Sequence, residues 1–274
     1  MKAHNVMLVF RKDWREIRRN WHIILPMVSV PLLISVLLPT LIIMLPDASS
    51  TSTMPLDNSV AMIRNLPSHV KEELAGMTPT QVVTYVMALY FFAPFFLIIP
   101  VMASSVVAAD SFAGEKERRT IEALLATPIS DSELFLGKVL ISFVLSMVAT
   151  IASFATYSIV VDAISYATFN GRLLFPNVEW TMLIFGVAPT IALADIGLTV
   201  MISTRVKGFR EAQQISAVLL IPMLALTFGQ ISGAIIFGPI IIGSLIIILA
   251  LCDLIVFYVG VRLFKREEIL SRLT

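Results

Sequence analysis

The chain has 274 residues, of which 57% are hydrophobic and only 14% charged, with a mean hydropathy of +0.89. Soluble domains carry about 25% charged residues, so an ordinary water-soluble core is excluded and the bilayer is the expected solvent. A net charge of +1 gives no global attraction for nucleic acid. The single cysteine, Cys252, allows no internal disulfide, and His4, His22 and His69 lie too far apart for a metal-ligand motif.

The chain opens on NVMLVFRKDWREIRRNW, residues 5–21. Val6, Phe10, Trp14, Ile17 and Trp21 recur at three- and four-residue steps, and arginines and lysines fill the other face. This pattern predicts an interfacial helix over residues 1–21, with indole rings at headgroup level and basic residues near anionic lipid. A soluble helix packed on a partner has the same pattern. The apolar run that follows is too long for the core of a cleavable signal, so the first span is expected to remain as an anchor.

A hydrocarbon core needs about 20 apolar residues to cross. Six stretches qualify, at 22–45, 84–109, 139–163, 181–203, 213–233 and 240–264, and together they make residues 22–274 an all-α polytopic transmembrane domain. Seventeen of the twenty lysines and arginines fall on one side if both termini are cytoplasmic; only Arg64, Lys71 and Arg172 fall on the other. The positive-inside bias therefore places both termini in the cytoplasm of a plasma-membrane protein. Residues 46–83 form the outer loop. Its start, PDASSTSTMPLDNS, is loop-like, LPSHVKEEL predicts a short helix, and Thr78-Pro79-Thr80-Gln81 is a helix start with a capping box. Pro26, Pro31, Pro39, Pro94, Pro100, Pro189 and Pro222 lie inside spans, where neighbours can satisfy the freed backbone groups.

The loop at 110–137 is the most charged stretch, GEKERRTIEALLATPIS over 114–130. Helix formers dominate residues 115–126, and Glu115 and Arg119 are spaced for a surface ion pair. Ile121, Leu124 and Leu125 make an apolar face, with Phe112 upstream. Thr127-Pro128 stops the helix. Ser130-Asp131-Ser132-Glu133 is a second capping box, whose helix runs through Gly137-Lys138 into the third span. A connector whose leucines pack on the protein's own spans fits this stretch as well as a docking element does.

Two acids fall inside spans, Asp195 and Asp253. Such groups are costly in hydrocarbon, and they point to a substrate or ion path or to hydrogen bonds between helices. GQISGAIIFGP, residues 229–239, offers Gly229 and Gly233 at the spacing of close helix packing, or a re-entrant hairpin on the outer side.

EKERRTIEALLATP resembles the signature loop of the type-2 permease family of ABC transporters (ABC-2), which shows E-K-E-x-x-T-x-E-x-L-L-x-x-P before a Gly-Lys pair. Glu115, Lys116, Glu117, Thr120, Glu122, Leu124, Leu125, Pro128, Gly137 and Lys138 fit; family members often have Gly where this chain has Arg119. The stretch GLTVMISTRVKGFREAQQISAVLLIP matches a looser second pattern at Ser203, Ala212, Gln213 and Pro222. The resemblance implies a permease subunit of an ATP-driven exporter. It implies a coupling helix made by Glu115, Lys116, Glu117, Thr120, Ile121, Glu122, Leu124, Leu125 and Pro128, docked on a separate ATP-binding subunit. Two such subunits, carrying ATP and Mg, would join this chain and a second permease, as a homo- or heterodimer. The chain has no G-x-x-x-x-G-K-[ST] phosphate loop, so no cofactor is expected in it and no catalytic residue. An ion-coupled secondary transporter and a non-transporting membrane subunit remain alternatives. The small outer loop and apolar spans suit a lipid-like, drug-like or amphipathic peptide cargo.

Overall fold

The computed structural model describes residues 2–44, 71–72, 74–120, 127–203, 205–206, 208–231 and 238–263. Among them the chain is helical throughout, without β-strand. Helix α1, Ala3–Ile17, precedes the spans. A turn at 18–20 redirects the chain, and the Asn20 side chain accepts from the His22 N–H at 3.2 Å. Six apolar helices then follow: α2 (Trp21–Leu41), α3 (Gln81–Glu117), α4 (Asp131–Ser165), α5 (Val178–Ser203), α6 (Phe209–Gly229) and α7 (Pro239–Val256, continuing to Leu263).

The six predicted spans match these helices, but α3 and α4 are much longer than their apolar cores, at 37 and 35 residues. At 1.5 Å per residue each exceeds roughly 50 Å, against about 30 Å of hydrocarbon. In α4 the extra turns begin at a capping box, and α3 both starts early at one and runs on past residue 109 to Glu117. Thr78 accepts from Gln81 N–H while the Gln81 side chain accepts from Thr78 N–H. Ser130 and Glu133 make the same reciprocal pair. Apolar windows register hydrocarbon, whereas caps register where the helix starts in water. The predicted short helix over 66–74 and the glycine-rich stretch between Ile231 and Gly238 lie largely or wholly outside the described residues.

The end of the bundle that carries α1 is termed basal, and the other distal. Helix α3 is the axis, packed along both α4 and α5. Near its distal end sits a buried aromatic cluster of Phe92, Phe96, Tyr157, Phe175 and Trp180. Tyr157 and Trp180 stack with centroids 4.9 Å apart, and Phe96 meets Trp180 edge-on at 5.2 Å. This cluster also solves a backbone problem. Residues Met87–Phe91 form a π-helical turn, in which each carbonyl pairs with the amide five residues on. For Leu89 that position is Pro94, which has no N–H. The Trp180 indole N–H donates to the Leu89 carbonyl instead, at 2.9 Å, and the Tyr157 hydroxyl donates to the Ala88 carbonyl at 2.6 Å.

Helix α7 lies against α5 because two glycines make room. A Cβ at Gly186 would come 2.4 Å from Ile246 Cδ1, and one at Gly197 would come 2.2 Å from Val256 Cγ1. Outward faces of α2, α6 and α7 carry bare apolar side chains, among them Leu32, Val218, Phe228, Ile247 and Leu254, as lipid contact requires.

Trp180→Phe keeps the ring packing and removes only the indole donor, leaving the Leu89 carbonyl buried and unmet. A loss of about 1–3 kcal/mol is expected, read as a lowered thermal midpoint in detergent. Phe154→Leu, which removes a ring stacked on Trp180 at 5.9 Å but no hydrogen bond, is the packing control.

Candidate functional site

The described start of the charged motif, residues 114–120, does not lie on the surface as a simple outward helix. Helix α3 ends at Glu117, inside the stretch whose composition predicts helix. The reason is a closing pair of backbone bonds. Thr120 N–H donates to the Glu115 carbonyl at 3.0 Å, and Arg119 N–H donates to the Lys116 carbonyl at 3.1 Å. This is the 6→1, 5→2 helix stop, which puts the residue between them in the left-handed region. That residue is Arg119, with φ 57°. A side chain there costs about 1–2 kcal/mol relative to ordinary helical backbone. The predicted ion pair of Glu115 with Arg119 is therefore not made; Glu115 turns inward. Ile121, Glu122, Leu124 and Leu125 lie outside the described residues. Thr120 and Pro128, on either side of them, are exposed.

Glu115 is 1% exposed and Lys138 is 0% exposed, and they pair at 2.6 Å. Lys138 also donates to the Ser111 carbonyl, has Asp13 at 4.0 Å and stands 5.4 Å over the Phe112 ring. The other Glu115 oxygen binds Lys12 of α1. Lys12 also reaches Asp13 at 3.1 Å and Glu16 at 3.4 Å. Asp13, Glu16 and Glu115 each bring a carboxylate oxygen within 4.8 Å of the others, a grouping that could hold a metal, but the Lys12 ammonium already contacts all three. Arg118 completes the network, bonded to Asp110 at 2.9 Å and to Glu16 at 3.2 Å.

The two glycines of the motif act by being small. A Cβ at Gly137 would stand 2.7 Å from Val9 Cβ, so Gly137 lets α1 lie directly on α4. A Cβ at Gly114 would stand 2.8 Å from the Asp110 carboxylate, so Gly114 clears the path from Asp110 to Arg118. Glu133 serves twice, capping α4 and accepting from Lys2 N–H at 2.6 Å and the Asn5 amide at 2.9 Å. The inward face of α1 is thus Val9, Asp13 and Ile17. Of the predicted apolar stripe, Ile17 is buried, whereas Trp14 and Trp21 are exposed.

The next two motif residues reach elsewhere. Lys116 donates to the Val206 carbonyl at 3.1 Å, in the connection between α5 and α6. Glu117 accepts from Phe209 N–H at 2.9 Å, at the first turn of α6. Successive residues 115, 116 and 117 therefore hold three places: α1 with α4, the connection after α5, and the start of α6. Ala212 on α6 is buried with Ala109 and Ala113 of α3, which gives the second motif's alanine a packing role.

The intramembrane acids differ from each other. Asp195 is fully buried on α5 and accepts from Ser104 at 2.6 Å and Ser105 at 2.8 Å, both on α3. Asp253 on α7 is only partly buried, and its Oδ1 has no hydrogen-bond partner. No hydrogen bond joins the two acids among the described residues.

Six apolar spans around a buried basal charge cluster define a polytopic membrane protein whose signature loop is tied to several helices at once. Residues 7–242 match the family model described as ABC-2 family transporter protein. The chain belongs to that family and is a permease of an ABC transporter. Comparison with curated proteins gives no significant match.

Lys138→Met leaves Glu115 without its buried partner and is expected to cost about 3–5 kcal/mol, measured by thermal unfolding in detergent. Adding Glu115→Leu to it should recover most of that loss. Asp13 supplies a pH dependence. Burial raises its carboxyl above the ordinary 3.8 despite Lys12 at 3.1 Å and Lys138 at 4.0 Å. A raised carboxyl binds its proton more tightly when folded, so its stabilising contribution is present at low pH and fades as pH rises through the folded value. Asp13→Asn should therefore unfold at a higher temperature than wild type at neutral pH, the gap closing as pH falls through the raised folded value and gone below the ordinary 3.8.

Proposed function

We propose that this chain is the transmembrane subunit of an ATP-driven exporter, and that its basal charge cluster passes motion from a separate ATP-binding subunit to the spans. Both termini and the 110–137 loop face the cytoplasm of the plasma membrane, where the positive-inside bias puts them. Two ATP-binding subunits, which hold the ATP and Mg²⁺, pair with this permease and a second one. The Ile121, Leu124 and Leu125 face fills a groove on the partner, and Glu122 lies beside it.

One observation carries the reading. Glu115, Lys116 and Glu117 sit in one helical turn yet hold α1 and α4, the connection after α5 and the first turn of α6. A load applied to the loop at 118–128 reaches all of these together. A passive connector needs none of those bonds. Coupling needs an element whose arrangement both sites bias, and the bonds of this turn support that reading.

The double substitution Leu124→Ala and Leu125→Ala tests this in the assembled complex. Interface energy concentrates in a few residues, so permease-stimulated ATP hydrolysis should fall at least about tenfold while the thermal midpoint of the isolated permease holds. Unchanged stimulation in a folded, assembled complex overturns the coupling role.

A further inference from the structure

Within residues 115–119 every charge but one is committed inside the chain. Glu115 binds Lys138 and Lys12, Lys116 binds the Val206 carbonyl, Glu117 holds the Phe209 amide and Arg118 bridges Asp110 and Glu16. Arg119 alone has an exposed side chain with no bond to the described residues. It also occupies the single position of the turn where a side chain is disfavoured, at φ 57° between the two closing backbone bonds. Glycine is the residue that suits this site. Among the described residues nothing holds the guanidinium, and the backbone at this position opposes the side chain that carries it.

Its position says what it can meet. Helix α3 runs 37 residues from Gln81 to Glu117, or roughly 55 Å, which exceeds the about 40–45 Å of a whole bilayer including headgroups. Arg119 lies past that end, at the start of the segment read above as the docking loop. A planar guanidinium offers a paired fork of donors that matches a carboxylate.

We propose that Arg119 is a specificity contact for the ATP-binding subunit, met by an aspartate or glutamate at the rim of that subunit's docking groove. This rests on the coupling reading under Proposed function and names the chemistry of the partner surface. Rim charges set partner choice and association rate more than the fold, so the residue can be lost without harm to the permease itself.

The test uses affinity-tagged full-length chain purified from its own membranes, with 8-azido-ATP photolabelling to mark the nucleotide-binding subunit that accompanies it. Arg119→Gly should raise the thermal midpoint of the permease, because it removes the backbone conflict. It should also weaken retention of the labelled subunit by about tenfold, with less sensitivity to salt than wild type shows. Arg119→Glu should abolish retention. A weakened complex on a more stable permease cannot be ascribed to misfolding. Retention of the labelled subunit by Arg119→Gly at wild-type strength across the salt series overturns the inference while leaving the coupling reading in place. Unchanged retention together with reduced binding to phosphatidylglycerol vesicles overturns it in favour of a lipid contact. Failure to recover any labelled subunit with wild type overturns both readings.

Discussion

The ion pair between Glu115 and Lys138 is the contact on which the basal half of the molecule depends. Both groups are withdrawn from water, which is unfavourable for each alone and is offset by their pairing and by the further partners each has. Lys138 has Ser111, Glu115 and the Phe112 ring; Glu115 has Lys138 and Lys12. Each of these lies on a different helix or on the last turns of α3. Two buried charges thus fix where α1, α3 and α4 meet, and Gly137 allows the approach that brings them within reach.

Helix α3 connects this cluster to the rest of the protein. In its basal turns it holds ions, and in its middle hydroxyls. Ser104 and Ser105 bind Asp195 of α5, and Ser146 of α4 donates to the Pro100 carbonyl at 2.9 Å. Distally it is gripped by Tyr157 and Trp180 at carbonyls that Pro94 and the π-helical turn leave available. At Leu89 proline removes the partner amide, and the Trp180 indole of a neighbouring helix supplies the donor. Helix α3 is thus anchored to its neighbours at three levels.

Much of the fold was legible because hydrophobic length and capping are local properties. The six spans follow from apolar runs, and Thr78 with Gln81 and Ser130 with Glu133 announce their helix starts within four residues. The charged site was harder to read for the opposite reason. Lys12 and Glu115 are 103 positions apart and Lys138 and Glu115 are 23 apart, so no local periodicity marks them as partners. Composition favours a helix through residue 126 and gives no sign of the stop at Arg119, since arginine is a good helix former. One clue was present: a lysine entering an apolar span needs a carboxylate, but Asp131 and Glu133 stand nearer upstream than the acids of the signature loop, so sequence distance does not pick out Glu115. On α1 the apolar stripe put the rings of Trp14 and Trp21 toward the headgroups, and both are exposed; what the stripe did not mark is the face packed inside the protein, Val9, Asp13 and Ile17.

Helix α7 stands outside this arrangement. It rests on α5 along the strip opened by Gly186 and Gly197, and most of its remaining surface is apolar and bare. Its inclination is therefore set on one side by protein and on the other by the membrane's own dimensions. Where hydrocarbon thickness differs from the helix's apolar length, a span held by one neighbour tilts before a span held by three. Among the described residues α7 is therefore the span whose tilt has the least protein holding it, and its two glycine contacts are where any such tilt meets α5.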